Sequence, residues 1–199
     1  MQLTAVPLTQ TLGAHTHVRL EPFAEAHRAG LIVAAADPSI WRHIPFPVLA
    51  RGYGAWFDQL REMQAAGAWM PFAVIAPSGE IVGQSCYLAI RAADAGVEIG
   101  GTWYAPAAQG TQINPAAKLV LLDHAFACGA ERVELKTDAL NLRSRAAILK
   151  LGAQFEGIFR HHMRRPDGSW RDTAYYSVLQ AEWPALREKL RMRLGPRGD

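Results

Sequence analysis

Residues 107–118 read AAQGTQINPAAK and lie between a strand-like segment ending at Tyr104 and an apolar helical pattern that runs to Cys128. A strand, a short loop of small and polar residues, and a helix form a unit of an α/β fold. Such a loop also has a chemical use. The first N–H groups of a helix lack internal partners, and the helix dipole adds partial positive charge there, so the turn can cradle an anion. Gly110 supplies one glycine where phosphate loops usually have two or three, and Gln112 stands where another is expected. A side chain at 112 is compatible with the cradle if its backbone is already helical, because only a positive φ or a phosphate pressed against Cβ demands glycine. Asn114 is expected as the N-cap and Pro115 as the first helical residue, an arrangement that would also start a helix with no ligand involved.

Outward from this loop, residues 17–21 read as a strand, 23–36 as a helix, 37–49 as a loop rich in Pro and aromatics, and 50–66 as a helix with Trp56, Phe57, Leu60 and Met63 at helical spacing. Residues 69–76 and 81–90 flank Pro77-Ser78-Gly79 as a hairpin, and Gly96–Tyr104 is a further strand. After the loop and its helix come a strand at 132–137, a helix at 141–151 closed by Gly152, a hairpin of 153–163 and 170–179, and a last helix from Glu182. The order β-α-α-β-β-β-α-β-α-β-β-α predicts an α/β fold with a mixed, mostly antiparallel sheet. Gly100-Gly101 inside a strand predicts a bulge or a close backbone approach.

A length of 199 residues suits a single domain over 1–199, with 1–16 and 194–199 expected to be the most loosely held parts. Hydrophobic residues make up 50%, enough for a core. No apolar run approaches the roughly 20 residues of a membrane span. No basic segment precedes Arg19, so no signal peptide is expected and a cytoplasmic protein is. The formal charge of +3 resides in residues 187–199, which leaves the body neutral. A nucleic-acid binder carries its basic face on the folded body, so neither nucleic acid nor membrane is an expected partner. Cys86 and Cys128 read as reduced core thiols, and the neighbours His161 and His162 point to opposite faces of a strand, so no metal site is expected. The absence of G-x-x-x-x-G-K-[ST], and of G-x-G-x-x-G after the first strand, argues against nucleotide phosphotransfer and dinucleotide redox chemistry.

Three runs carry a family likeness: V-E-I-G-G-T-W-Y (97–104), A-Q-G-T-Q-I-N (108–114) and N-L-R-S-R-A-A-I-L-K-L-G-A (141–153). In this order and spacing they resemble the GNAT superfamily of N-acetyltransferases, in particular the branch that includes the ribosomal-protein N-terminal acetyltransferases (RimJ/RimL-like). The likeness extends over nearly the whole chain. It implies a seven-stranded GNAT-type sheet flanked by helices with a splayed central strand pair, acetyl-CoA as co-substrate, and no metal. The acceptor would be an amine, on a protein N-terminus or a small molecule. The family loop reads Arg/Gln-x-x-Gly-x-Gly/Ala; Gln109 and Gly110 agree with it, whereas Gln112 and Asn114 replace small residues.

The resemblance implies that Gln109, Gly110, Thr111, Gln112, Ile113 and Asn114 hold the pyrophosphate of acetyl-CoA, with Arg143 within reach of its phosphates. The pantetheine arm would lie along Gly101, Thr102 and Trp103, and an N–H near Gly100 or Gly101 would polarise the thioester carbonyl. Asn141 would contact pantetheine, and Ser144 would sit near the sulfur; Asn141 serving only as a helix cap is the alternative. An alkyl ammonium must lose a proton before it attacks. Glu98, beside the glycine pair, is the first candidate to accept that proton, with Asp138 in reserve; a surface pair for the one and a turn for the other would also explain them. Trp41, Arg42 and Phe46 in the 37–49 loop, with the hairpin tip 161–170, would line the acceptor pocket or close the core. The competing reading is a non-catalytic module that binds acyl-CoA and regulates. The free edge of a splayed sheet is compatible with a homodimer.

Overall fold

The computed structural model describes residue 12 and residues 15–195. Seven strands form one sheet in the order β1-β2-β3-β4-β5-β7-β6. They are β1 (Arg19–Pro22), β2 (Met70–Ile75), β3 (Ile81–Arg91), β4 (Gly96–Tyr104), β5 (Arg132–Asp138), β6 (Gln154–Arg164) and β7 (Trp170–Leu179). Five helices accompany them: α1 (Arg28–Ala34), α2 (Val48–Ala65), α3 (Ile113–Ala127), α4 (Leu142–Leu151) and α5 (Trp183–Leu194). All neighbouring strands are antiparallel except β4 and β5, which run parallel. This is the mixed α/β architecture that the element order predicts. No described helix is long and apolar enough to cross a membrane.

The sheet has a core on each face, because successive side chains of a strand point to opposite sides. Phe72, Val74, Tyr87, Val97, Ile99, Val133, Leu135 and Tyr176 join the α3 and α5 residues Leu119, Leu122 and Trp183 in one cluster. Ala73 and Trp103 face the other way and pack with Leu31, Trp41, Tyr53, Trp56 and Phe57 around α1 and α2. α3 is apolar almost all round and is correspondingly buried, Lys118 included.

Local structure departs from the periodicity in three places. The expected helix at 23–36 opens with a 3-10 turn at Glu25–His27, anchored where His27 Nδ1 accepts from Ala24 N and Nε2 lies 3.0 Å from Glu21 Oε2. The 37–49 loop contains a 3-10 helix, Pro38–His43, whose cap Asp37 accepts from Ser39 N at 2.8 Å. α2 begins at Val48 and kinks at Gly52, where φ is 77°. Of the segments expected to be loosely held, Leu12 is buried, His15 bridges to Val18 and Leu194 ends α5. Residues 1–11, 13–14 and 196–199 lie outside the described residues.

The sheet parts between β4 and β5. Their ladder joins only Gly96, Val97 and Glu98 to Arg132, Val133 and Glu134. Beyond Glu98, β4 stays with β3 as far as Tyr104, while β5 stays with β7 as far as Asp138. Gln84 faces Trp103 and Cys86 faces Gly100, so β4 carries one residue more than β3 between these pairs. That extra residue makes the bulge, and Gly101, at φ 57°, takes the left-handed turn in it.

Candidate active site

The loop after β4 presents its amides outward. A short 3-10 turn, Pro106–Ala108, leads to Gly110 at φ 78°, and α3 follows. A Cβ built on Gly110 meets no atom within 4 Å, so the space beside this backbone is open. Among the described residues, the amides of Gly110, Thr111, Gln112 and Asn114 donate to no protein acceptor; Ile113 N donates to Thr111 Oγ1 at 3.2 Å. The helix starts earlier than expected. Gln112 is its N-cap, and Asn114 and Pro115 lie in the first turn, because the Thr111 hydroxyl satisfies the first amide. Gln112 has φ −73° and ψ −8°, so a side chain there carries no strain. Its side-chain Nε2 donates to Arg193 O on α5 at 3.5 Å.

Glu98 occupies the point where β4 and β5 separate. Val97 and Ile99 turn into the α3-side core, so Glu98 faces the opposite side. It is 2% exposed, and its Oε2 lies 2.8 Å from Lys136 Nζ on β5. Burial pushes its carboxyl above the ordinary range, and the Lys136 ammonium pulls it back. Gly100 makes room for this carboxylate, since a Cβ there would stand 2.6 Å from Glu98 Oε1. The two glycines therefore serve different ends: Gly101 turns the bulge, and Gly100 clears the acid.

Behind the bulge lies Lys118 of α3. Its Nζ donates to Thr102 Oγ1 at 2.9 Å and to Ser85 Oγ at 3.5 Å, and the two hydroxyls are 2.7 Å apart. Burial lowers its pKa from 10.5 to about 7, opposed by Cys86 and then Glu98. Trp103 is buried against Trp41 and Tyr53, so it offers the cleft its backbone rather than its ring.

Across the gap, α4 begins at the end of β5. Asn141 caps it, its Oδ1 accepting from Ser144 N at 3.0 Å, which leaves the Asn141 Nδ2 donors for other partners. Ser144 is half-buried at the same end. Arg143 reaches back to the loop and donates from Nη1 to Gln109 Oε1 at 2.6 Å, while Gln109 Nε2 holds Tyr104 O at 2.8 Å. The sequence motifs at 109–114 and 141–144 thus meet at one mouth. Asp138 does not offer a free carboxylate. Its Oδ1 accepts from Leu140 N at 2.9 Å and its Oδ2 pairs with Arg165 Nη2 at 2.8 Å. The bond from Leu140 N is the turn role expected as its alternative.

The three expected acceptor residues divide. Trp41 is a core residue whose Nε1 donates to Ala35 O at 3.1 Å. Phe46 is half-buried and stacks on Trp56 with centroids 4.3 Å apart. Arg42 is exposed. On the other flank, Phe159, His162 and Tyr175 pack together, and an open depression of about 730 Å³ is lined by Phe159, Arg160, His161, His162 and Asp172. Sequence reasoning missed Lys118, Lys136 and Arg171. A lysine inside an otherwise apolar helical pattern was a visible signal for the first, whereas the other two gain meaning only from strand pairing.

Comparison with known proteins agrees with this geometry. Residues 17–154 match the family model for the acetyltransferase (GNAT) domain. A GCN5-related N-acetyltransferase from Brucella melitensis is similar over 94% of this chain and 86% of its own, at 30% identity and a TM-score of 0.85. A T. thermophilus protein described as a candidate acetyltransferase is similar over 96% of this chain and 99% of its own, at 34% identity and a TM-score of 0.84. RimJ of Mycobacterium smegmatis, solved with a CoA disulfide, shares the fold at 24% identity and a TM-score of 0.78, over 92% of this chain and 93% of its own. No curated protein matches the chain. The parted parallel strands, the anion-ready loop and the matched family model lead to one conclusion: the chain belongs to the GNAT acetyltransferase family.

Proposed function

We propose that this protein transfers the acetyl group of acetyl-CoA to a primary amine held against the β5–β7–β6 side of the cleft. The observation that carries this reading is Glu98, a buried carboxylate at the point where the sheet opens. The open amides of Gly110, Thr111, Gln112 and Asn114 fit a pyrophosphate, and Arg143 adds a cation at the same mouth. The β4 backbone at Gly101, Thr102 and Trp103 has no strand partner on its β5 side, which suits the amides of a pantetheine arm. Acetyl-CoA supplies an activated acetyl thioester. The chain's own residues do the rest. Glu98, paired with Lys136, takes the proton of the attacking amine directly or through a water. A backbone N–H near Gly100 or Gly101 would stabilise negative charge on the thioester carbonyl oxygen. Ser144 and the Asn141 amide offer hydrogen bonds to a departing thiolate. CoA complexes of RimJ and of RimL, which share this fold, support the choice of co-substrate.

The first test combines binding and turnover. At 100 times its Kd, acetyl-CoA is expected to add about 2.7 kcal/mol of stability. That appears as a melting shift of several degrees, absent with ATP, and free thiol is released when a suitable amine is added. A shift with no thiol release for any amine would favour a binding module, and no shift at all would remove the acetyl-CoA reading.

The loop makes a second prediction. Gly110→Val is expected to weaken acetyl-CoA binding by roughly tenfold or more, about 1.4 kcal/mol, because a branched residue resists the left-handed backbone. Gln112→Gly changes binding little, since Gln112 is already helical there. Isothermal titration of both variants checks this, and a tenfold gain from Gln112→Gly would mean that the glutamine obstructs the cradle.

A further inference from the structure

β7 carries a cation that the acetyl-transfer chemistry does not use. Arg171 is 4% exposed, and its Nε is buried with no hydrogen-bond partner. Among the described residues its guanidinium joins no hydrogen bond and no ion pair. The two nearby acids are already engaged, Asp138 by Arg165 at 2.8 Å and Glu98 by Lys136 at 2.8 Å. Burying a charge without a partner is costly, and removing one member of a buried pair typically costs several kcal/mol. A desolvated guanidinium without a partner is therefore one whose partner arrives from outside.

Its position says what that partner is joined to. Ala174, Tyr176 and Val178 of β7 enter the α3-side core, so Arg171, Thr173 and Tyr175 face the opposite side. Lys136 lies opposite Tyr175 in register, and Glu98 shares this face. Arg171 feels Asp138 first among its charged neighbours and also Glu98, and burial lowers its affinity for its proton. The floor on which an amine must meet Glu98 thus holds Lys136, Arg165 and Arg171, with both carboxylates already paired. Such a floor repels polycationic acceptors. It suits an acceptor with a negative group, and the planar guanidinium fork matches a carboxylate bidentately.

We propose that the acceptor amine carries a carboxylate that Arg171 binds, an inference that rests on the acetyl-transfer reading above. Two sources share this chemistry: the α-carboxylate of a free amino acid, and the side-chain carboxylate of a peptide that begins with an acidic residue. Paired substrates separate them. Free L-amino acids are compared with their α-amides, and Asp-Ala-Ala-amide with Asn-Ala-Ala-amide, each with wild type and Arg171→Met, with spermidine as a cationic control. In one pair the acid is expected to be preferred roughly 100-fold in kcat/KM, the scale of a buried charge pair that loses one partner. Arg171→Met should abolish that preference by raising KM for the acid far more than for the amide, with the acetyl-CoA melting shift unchanged. Arg171→Lys should restore part of the preference. If wild type acetylates acids and amides alike, favours spermidine, or if Arg171→Met lowers every substrate equally, the inference fails while acetyl transfer stands. If wild type acetylates none of the panel, the acetyl-transfer reading fails and takes the inference with it.

Discussion

Glu98→Gln lowers kcat by about 100-fold or more at pH 7, the ordinary contribution of a positioned base, while acetyl-CoA binding is unchanged. Glutamine keeps the shape and the space that Gly100 leaves. It retains an oxygen for Lys136 Nζ, now 2.8 Å from the carboxylate, and loses the negative charge and with it the ability to take a proton. The loss should shrink as pH rises, because an alkyl ammonium with pKa near 10 increasingly supplies its own neutral form. Steady-state rates from pH 6.5 to 9.5 test both statements. A variant that turns over normally at pH 7 would remove Glu98 as the proton acceptor. Asp138→Asn is the informative control, since Asp138 caps Leu140 N and holds Arg165. Its loss acts on stability rather than on the pH profile.

Lys118→Met raises stability at pH 6, by an amount on the order of a few kcal/mol, as when buried ionic groups give way to apolar ones of similar size. The sign follows from proton linkage. Lys118 is lowered from 10.5 to about 7 by burial, so between those values the unfolded chain holds more protons than the folded one. Wild-type stability therefore rises with pH across that window, by about 1.4 kcal/mol for each pH step of one. Below it, the folded chain bears the full cost of a buried ammonium. The advantage of methionine should be largest at pH 6 and mostly gone by pH 9.5. Ser85 and Thr102, 2.7 Å apart, can bond to each other once the amine is removed. Urea unfolding of both proteins at several pH values measures the difference. A methionine variant less stable than wild type at pH 6, or an advantage that does not vary with pH, would show that the amine is not held in the way its burial implies.

Much of the site is legible in the sequence because it is local. The glycine pair in a strand announces the bulge, and the structure divides its work between Gly101, which takes φ 57°, and Gly100, which leaves room for Glu98. Asn141 three residues before Ser144 announces a capped helix start, and the cap bond is there at 3.0 Å. The cap of α3 falls two residues earlier than propensity suggests, because the Thr111 hydroxyl takes over a role that Asn114 fills well by residue type alone. Trp41 reads as a pocket or a core residue in an aromatic loop; only the packing of α1 and α2 shows that it belongs to the core.

The sequence by itself determined the number, type and order of the strands, and the loop at 109–114 as a helix start with open amides. Those features depend on contacts a few residues apart, which periodicity, glycine and capping chemistry record. The tertiary structure alone decided which charges meet. Glu98 finds Lys136 across a parallel pair that lasts only three residues, Asp138 is taken by Arg165 from a hairpin, Lys118 lies beneath a bulge, and Arg171 is left with no partner. Pairings of that kind join segments tens of residues apart, and their energies depend on burial, which no local pattern encodes.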